Sequence, residues 1–326
     1  MRLILHLANL FLRGTALMLC LISAVAGLTC LGGAFSDRLD ALTHAAPLWL
    51  ACGGAGLALA VAFSRDGERK ALAGVASLGV VAVLALMTPE LLSALQRPEE
   101  PAKDMSRLKL VQFNAWADNH DPDATTAWLL KQKADVVVLE EAGGAAWPVV
   151  RALKKAYPYS TACRFKYGCD TRMFSRWPIV AEHGFHQDDR SLAGGWMTLR
   201  HPRGDFTVAG THFVWPIPAG QWQAQSRTLV GKLAAFPRDS LIVTGDFNST
   251  PWSWSLRRQD KALGLERRTR ALASWPTGAF TRVASAPFPV LPIDQVYAGK
   301  AWKTVKVERG PSLGSDHRPV VAILAR

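Results

Sequence analysis

Three apolar stretches, at about residues 14–35, 47–63 and 71–88, dominate the first third of the chain and leave few folds open to it. Each approaches the roughly 17–25 residues that a helix needs to cross the hydrocarbon core of a bilayer. Soluble helices keep a polar stripe for water, and these stretches keep none. A cleaved signal peptide accounts for only the first of them. The sequence therefore predicts a transmembrane region over residues 1–96 with about three spans, the second of them short and glycine-rich.

The short loops predict an orientation. Arg2 and Arg13 precede the first span, the 36–46 loop carries Asp37 and Asp40 against Arg38 alone, and the 64–70 loop holds Arg65, Arg69 and Lys70. Cationic loops stay cytoplasmic, so the chain starts inside, loops out, returns and crosses again. Three crossings put everything after Thr88 outside the cytoplasm, whereas two would leave it inside. Cys20, Cys30 and Cys52 lie within the apolar stretches, where a free thiol behaves as a small hydrophobe. Cys163 and Cys169 stand close enough in sequence to bridge a small loop in an oxidising compartment. The alternative is two unrelated buried thiols. Charge and cysteines together favour an exported domain.

Residues 97–107 form a polar, proline-bearing linker that should not continue the third helix. Beyond it, residues 108–326 suffice for one packed domain. Apolar, largely β-branched runs at 108–113, 136–139, 207–210, 241–244 and 320–324 predict buried strands, and 123–132 predicts a helix between the first two. Strands separated by helices and long loops make an α/β layered pattern. Of the net charge of +12, residues 1–97 hold seven Lys and Arg against five Asp and Glu, or +2, which leaves +10 for the rest. A basic domain suits an anionic partner such as nucleic acid or a lipid headgroup, or it is merely a lysine- and arginine-tolerant surface.

Polar residues stand at the ends of the apolar runs. Asn114 closes the first, Glu140 and Glu141 the second, and His212 the third. Asp246 and Asn248 follow the fourth, Asp294 follows Ile293, and Asp316 and His317 precede the last. One such residue is an ordinary loop polar group; six strand ends carrying only Asn, Asp, Glu or His are a pattern. Hard cations such as Mg²⁺ take carboxylate and amide oxygens, with phosphate and water completing the shell. Asp246 and Asn248, two apart in an extended segment, would face one side. A histidine held by a carboxylate is a natural proton carrier near neutral pH. Zinc fits less well, because no His/Cys cluster has ligand spacing; His183 and His186 alone are too little and belong to the surface.

In order along the chain these are Asn114, Asp-Val-Val-Val-Leu-Glu-Glu at 135–141, Thr-His at 211–212, Gly-Asp-Phe-Asn-Ser-Thr-Pro at 245–251, Ile-Asp at 293–294 and Ser-Asp-His-Arg-Pro at 315–319. The series resembles the endonuclease/exonuclease/phosphatase superfamily over residues 108–326, and Ser-Arg-Trp-Pro-Ile at 175–179 resembles a further strand of it. More narrowly, the chain is similar to bacterial members with hydrophobic N-terminal helices. The resemblance implies a four-layer α/β sandwich of the DNase I-like kind, here preceded by the membrane helices. It implies Glu141 as principal metal ligand, with Asn114 holding metal or phosphate and Asp316 a second metal-side carboxylate. Asp246 and Asn248 would orient the attacked phosphate and the nucleophilic water. His317, aligned by Asp294, would be the base or a phosphate-stabilising cation, and His212 a phosphate ligand or general acid. The family's usual Gln before the metal-binding Glu is Glu140 here, so either carboxylate is open as ligand, with alternation favouring Glu141. Arg172, in Thr-Arg-Met-Phe where small aliphatics are usual, is a candidate for binding substrate.

The expected activity is phosphodiester hydrolysis dependent on Mg²⁺, with Mn²⁺ or Ca²⁺ as alternatives. The favoured substrate is nucleic acid, then a phospholipid of the sphingomyelin or phosphoinositide type. A catalytically inactive membrane-anchored binding domain is the reading from another class. The expected location is the inner membrane of a bacterium, multi-pass, with the catalytic domain facing the periplasm. Trp215, Trp222, Trp252 and Trp254 follow closely on the motifs, where they either pack loops against the core or meet bases or bilayer.

Overall fold

The structure, a computed structural model, describes residues 1–96, 101–102, 104–164, 170–185, 192–279 and 285–326. Cys169, His186 and part of the expected linker lie outside the described residues. Contacts divide the chain into two compact units, the first comprising residues 1–92, 217–219 and 252–257, and the second the remainder.

The first unit is built on helices α1 (Arg2–Leu31), α2 (Asp37–Asp40), α3 (Ala46–Phe63) and α4 (Asp66–Leu95). Three helices are long and apolar enough to cross a membrane, by length and composition. Leu10, Phe11, Met18, Val61, Leu78 and Val81 among others are exposed, as side chains facing lipid would be. Both α1 and α4 run past the apolar stretches that predict them. Helical hydrogen bonds need no apolar side chain, so hydropathy marks the apolar stretch rather than the helix ends.

Small residues let these helices approach closely. A Cβ built on Gly79 would run into the backbone of Ser23, and one on Gly27 would lie 2.7 Å from the Gly79 carbonyl. Membrane helices associate through such small-residue contacts, because lipid offers no hydrophobic drive between them. The 36–46 loop is not open either, for it folds into α2 and a 3₁₀ turn. Its Asp40 is buried and accepts from the backbone N–H of Trp254 at 2.8 Å and of Ser255 at 2.7 Å, and from the Ser255 hydroxyl. Asp40 thus caps helix α8 (Trp254–Leu263), where a carboxylate satisfies otherwise unpaired N–H groups. Trp252 donates to the Thr43 carbonyl and Trp254 to that of Cys30. Both indoles pack and hydrogen-bond within this unit, as loop-packing tryptophans do.

The second unit contains two mixed six-stranded sheets flanked by helices. The first joins β1 (Arg107–Asn114), β2 (Val136–Glu140), β3 (Tyr159–Ala162), β4 (Arg172–Ser175), β13 (Lys303–Arg309) and β14 (Val320–Ala325) in the order β13-β14-β1-β2-β4-β3. The second joins β5 (Ile179–Gly184), β6 (Ala193–Leu199), β7 (Phe206–His212), β8 (Ile242–Asp246), β9 (Glu266–Arg267) and β12 (Asp294–Ala298) in the order β5-β6-β7-β8-β12-β9. A separate hairpin pairs β10 (Gly278–Ala279) with β11 (Ser285–Ala286). The remaining helices are α5 (Pro122–Gln132), α6 (Trp147–Ala156) and α7 (Gln221–Leu233).

Every apolar run predicted as a strand is one, and 123–132 falls within α5, whereas residues 175–179, likened to a further strand, form the turn that joins β4 to β5. Leu110, Val138 and Met173 of the first sheet meet Val208, Ile242 and Val296 of the second in one core. Val111, Val137 and Leu139 face the other way, against Leu129 of α5 and Val150 and Leu153 of α6. The parallel pairs are β1 with β2 and β7 with β8, each joined through a helix as parallel strands require. In both pairs the polar residues come at the carboxyl ends, with Asn114 beside Glu140 and His212 beside Asp246.

Replacing Gly79 with Leu should destabilise the helical unit by about 1–3 kcal/mol, the range for overpacking a close contact. Gly74, where an added Cβ meets nothing within 4 Å, is the control. Thermal melts of the detergent-solubilised chain should show a lowered Tm for Gly79→Leu and little change for Gly74→Leu.

Candidate active site

Asp246 ends β8 and is almost wholly buried. The preceding Gly245 has φ +148°, and a Cβ there would collide with the Thr211 backbone of β7, so glycine lets the two strands close at this end. Asp246 Oδ1 accepts from the backbone N–H of Asn248 at 2.8 Å, and Asn248 has φ +47°. A turn, rather than the alternation of an extended strand, therefore brings these two side chains to one place. Asn248 Nδ2 donates to the Phe213 carbonyl at 2.8 Å and lies 3.4 Å from His212 Nε2.

Asp246 Oδ2 is the meeting point. Asn114 Nδ2 donates to it at 3.1 Å, while His212 Nε2 stands 3.6 Å and His317 Nε2 3.7 Å away. Asn114 Nδ2 also donates to Glu141 Oε1 at 3.0 Å. His317 is buried, with Nδ1 2.7 Å from Asp294 Oδ2. Its backbone N–H donates to the Ser315 hydroxyl, which itself donates to the Asn114 carbonyl. Asp316 accepts from the Trp275 indole at 2.9 Å through Oδ2, and its buried Oδ1 has no hydrogen-bond partner among the described residues. Trp275 lies edge-on to the half-exposed Trp215, with ring centroids 5.4 Å apart, so one motif tryptophan forms an aromatic wall beside the site. Trp222 instead packs inside, donating to the Phe247 carbonyl.

The two neighbouring glutamates separate cleanly. Glu140 completes β2 and is fully buried, with Oε2 accepting from Gln112 at 2.9 Å. Glu141 turns out of the strand with φ +48° and places its carboxylate beside Asn114 and the Ala117 N–H. It is this left-handed turn that presents Glu141. Its backbone N–H is held by Asp170 Oδ1 at 2.8 Å. Asp170 Oδ2 also lies 3.0 Å from His212 Nδ1. Asp170 follows a cysteine and has no apolar run before it, so nothing in the sequence marks it.

Arg172 stands apart from this cluster. Its guanidinium lies over the Trp147 ring at 4.8 Å and lines a cavity with Lys154, Arg164 and Glu182. It alternates with Met173, which faces the inter-sheet core, and so belongs to the opposite face of the sheet. The expected place at the substrate is not where the fold puts it. His183 is exposed and stacks on Trp196. Cys163 is disulfide-bonded.

Proximity sets the electrostatics. Burial alone would lower the His317 pKa, but Asp294, Asp246 and Asp316 lift it to about 10. Burial likewise opposes protonation of His212, and Asp170, Asp246 and Glu141 outweigh it, leaving the imidazole well above its ordinary value. Burial raises Asp246 to about 6, with Asp294 adding to the rise and the two histidines opposing it. Asp316 is raised by burial and by Glu141, against His317 and Trp275. Asp246, Asp294 and His317 place donor atoms within 4.8 Å of one another, close enough to hold a cation. Asp294 Oδ2 and His317 Nδ1 are already paired, however. The less committed oxygens are those of Glu141 and Asp316, and the Glu141 carboxylate adds to the rise of Asp316. An orphaned buried oxygen beside a second carboxylate suits a hard divalent cation.

Two outcomes follow for the chelator-treated protein. Asp170→Ala should bring the His212 imidazole titration down toward its ordinary range, read by NMR. Because the folded pKa of His317 lies above its ordinary 6.5, the stability it contributes is complete below about pH 6.5 and is lost as pH rises through about 10. Tm should therefore decline across that window in wild type, and decline less in His317→Ala.

The family model described as the endonuclease/exonuclease/phosphatase family matches residues 111–317. No curated relative matches the chain in sequence. Among solved structures, an endonuclease/exonuclease/phosphatase from Beutenbergia cavernae is 19% identical with a TM-score of 0.52, over 67% of this chain and 71% of that one. Sphingomyelinase C from Streptomyces griseocarneus is 21% identical with a TM-score of 0.50, over 68% and 99%. TDP2 from D. rerio, complexed with a single-strand DNA product, is 16% identical with a TM-score of 0.52, over 67% and 99%. At these identities the likeness speaks for the fold.

Proposed function

The chain belongs to the endonuclease/exonuclease/phosphatase family, whose members are hydrolases and mostly metal-dependent, and from that premise we propose that its site hydrolyses a phosphodiester with a divalent cation. The observation that carries this is the single Asp246 carboxylate flanked by two histidines that their acidic neighbours hold protonated. Two imidazolium groups on either side of one carboxyl make a cradle for a phosphate, with an acceptor for the proton of attacking water between them.

Glu141 would hold the cation, with Asp316 as a second carboxylate and Asn114 as neighbour, and Mg²⁺ fits this oxygen-rich set. When bound, the cation supplies positive charge that offsets the phosphoryl oxygens. His317, fixed by Asp294, stabilises the phosphate as a cation, the second of the two roles the resemblance offers. Asn248 orients the phosphate. Asp246 takes a proton from water as its oxygen bonds to phosphorus. His212, held protonated by Asp170, gives a proton to the ester oxygen as its bond to phosphorus breaks. The intact set disfavours an inactive binding domain.

Nucleic acid remains the favoured substrate, on the strength of the +10 carried by residues 98–326. A lipid headgroup is the second reading, favoured by Trp215 at the site and by the apolar helices. The location that fits is a bacterial inner membrane, with three crossings and the domain outside the cytoplasm. The disulfide-bonded state of Cys163 agrees with that side.

The test is turnover of DNA, RNA, sphingomyelin and phosphoinositides by the purified full chain. Activity should require Mg²⁺, Mn²⁺ or Ca²⁺ and vanish with a chelator; full turnover in excess chelator would overturn the metal-dependent reading. His317→Ala should lower kcat by about 10²–10⁴-fold. Asp294→Asn should lose less, and the double variant little more than His317→Ala alone, since residues acting as one unit are not additive.

A further inference from the structure

Gln112 is the one polar side chain that the inward-facing row of β1 carries before Asn114. Leu108 and Leu110 precede it at the strand's period of two and belong to the core between the sheets. A buried amide in such a row costs free energy unless its hydrogen bonds are made. Gln112 Nε2 makes two, donating to Asp294 Oδ1 at 2.7 Å and to Glu140 Oε2 at 2.9 Å. Gln112, Glu140 and Asp294 are all fully buried. The amide therefore stands between two carboxyl groups from opposite sheets. Among the described residues its own Oε1 has no hydrogen-bond partner, and neither has Glu140 Oε1. The position uses the donors of the amide and leaves its acceptor idle, which a group present only to satisfy itself would not do.

We infer that Gln112 is a positioning residue for the hydrolytic site, holding Asp294 by one carboxylate oxygen so that the other is aimed at His317 Nδ1. The inference rests on the proposed phosphodiesterase reading for its activity readout, though not for its geometry. Asp294 has its two oxygens divided between Gln112 and His317, so loss of the Gln112 donor frees the carboxylate to turn. Hydrogen bonds to a charged group are the stronger kind, and a network of them orients its members jointly. The same donor bridges Asp294 to Glu140, whose carboxyl burial and Asp294 hold well above the usual range. Removing the amide therefore leaves two buried carboxyls facing each other with nothing between.

A merely structural Gln112 predicts something different. Exchanging one partner of a buried hydrogen bond for an apolar group of similar volume then costs stability but leaves the bond between Asp294 and His317 as it was. Gln112→Met is that exchange, and Gln112→Met/Glu140→Gln removes one of the two carboxyls should the single variant fold poorly.

The experiment uses the detergent-solubilised full chain labelled with ¹⁵N-histidine, read by NMR and by turnover. The structure predicts that the ring N–H proton of His317, shifted downfield by its short bond to Asp294, moves upfield or vanishes in Gln112→Met and in the double variant. With the phosphodiester substrate, kcat should fall ~10- to 100-fold while KM stays within about twofold, as expected when a transition-state contact is weakened and ground-state binding is not. In a His317→Ala background, Gln112→Met should cost no further activity. An unmoved His317 resonance in folded Gln112→Met overturns the proposal, as does an equal loss of kcat with and without His317. If wild type hydrolyses no phosphodiester, the functional reading fails, and the resonance alone still decides for or against Gln112.

Discussion

Two side-chain amides on β1, those of Gln112 and Asn114, reach across to carboxylates on the second sheet, and the site exists where they do so. Gln112 meets Asp294 and Asn114 meets Asp246, partners 182 and 132 residues away in sequence. The apolar interior of Leu110, Val138, Val208 and Val296 supplies the force that presses the sheets together. It does nothing to choose their alignment at the open end. Directional hydrogen bonds from amides to buried charges do, because a buried carboxylate without a donor is costly. Packing and alignment are thus divided between successive residues of the same inward row.

The electrostatic consequences follow from that convergence. Glu141, Asp170, Asp246, Asp294 and Asp316 gather around only two imidazoles, so both histidines are held protonated and Asp246 is pushed up. Such a cluster is unfavourable by itself. On the proposed reading it is a receptacle for further positive charge and for a phosphate that brings its own negative charge to the histidines. Perturbed carboxyl and imidazole groups of opposite sense within one site are the arrangement that acid–base chemistry near neutral pH requires.

Much of this was legible in the residues themselves. Buried strands are short apolar runs, and the polar residue that ends each run marks where the strand leaves the core. That logic finds Asn114, Glu141, His212, Asp246, Asp294 and His317, and the fold brings them together. It does not find Asp170, which has no apolar run before it, or Gln112, which sits inside a run and reads as an interruption. Period-two alternation also misdescribes Asn248 and Glu141, since both reach the site through left-handed backbone, which no pattern of hydrophobicity encodes. Arg172 is a different case: near the polar strand ends in register, it lies on the other face of the sheet, apart from the cluster. In the helical unit, hydropathy identifies the three long apolar helices. It says nothing of Asp40, whose charge there serves as a helix cap.

The claim at the centre of this account is that water attacks phosphorus at the Asp246 cluster. Hydrolysis of a phosphodiester by the full chain in heavy-oxygen water, followed by mass spectrometry of both products, tests it most directly. The account predicts the label in the phosphomonoester product and none in the released alcohol, with labelled product lost in His317→Ala. Label in the alcohol, or undiminished labelled product from the His317 variant, would contradict it.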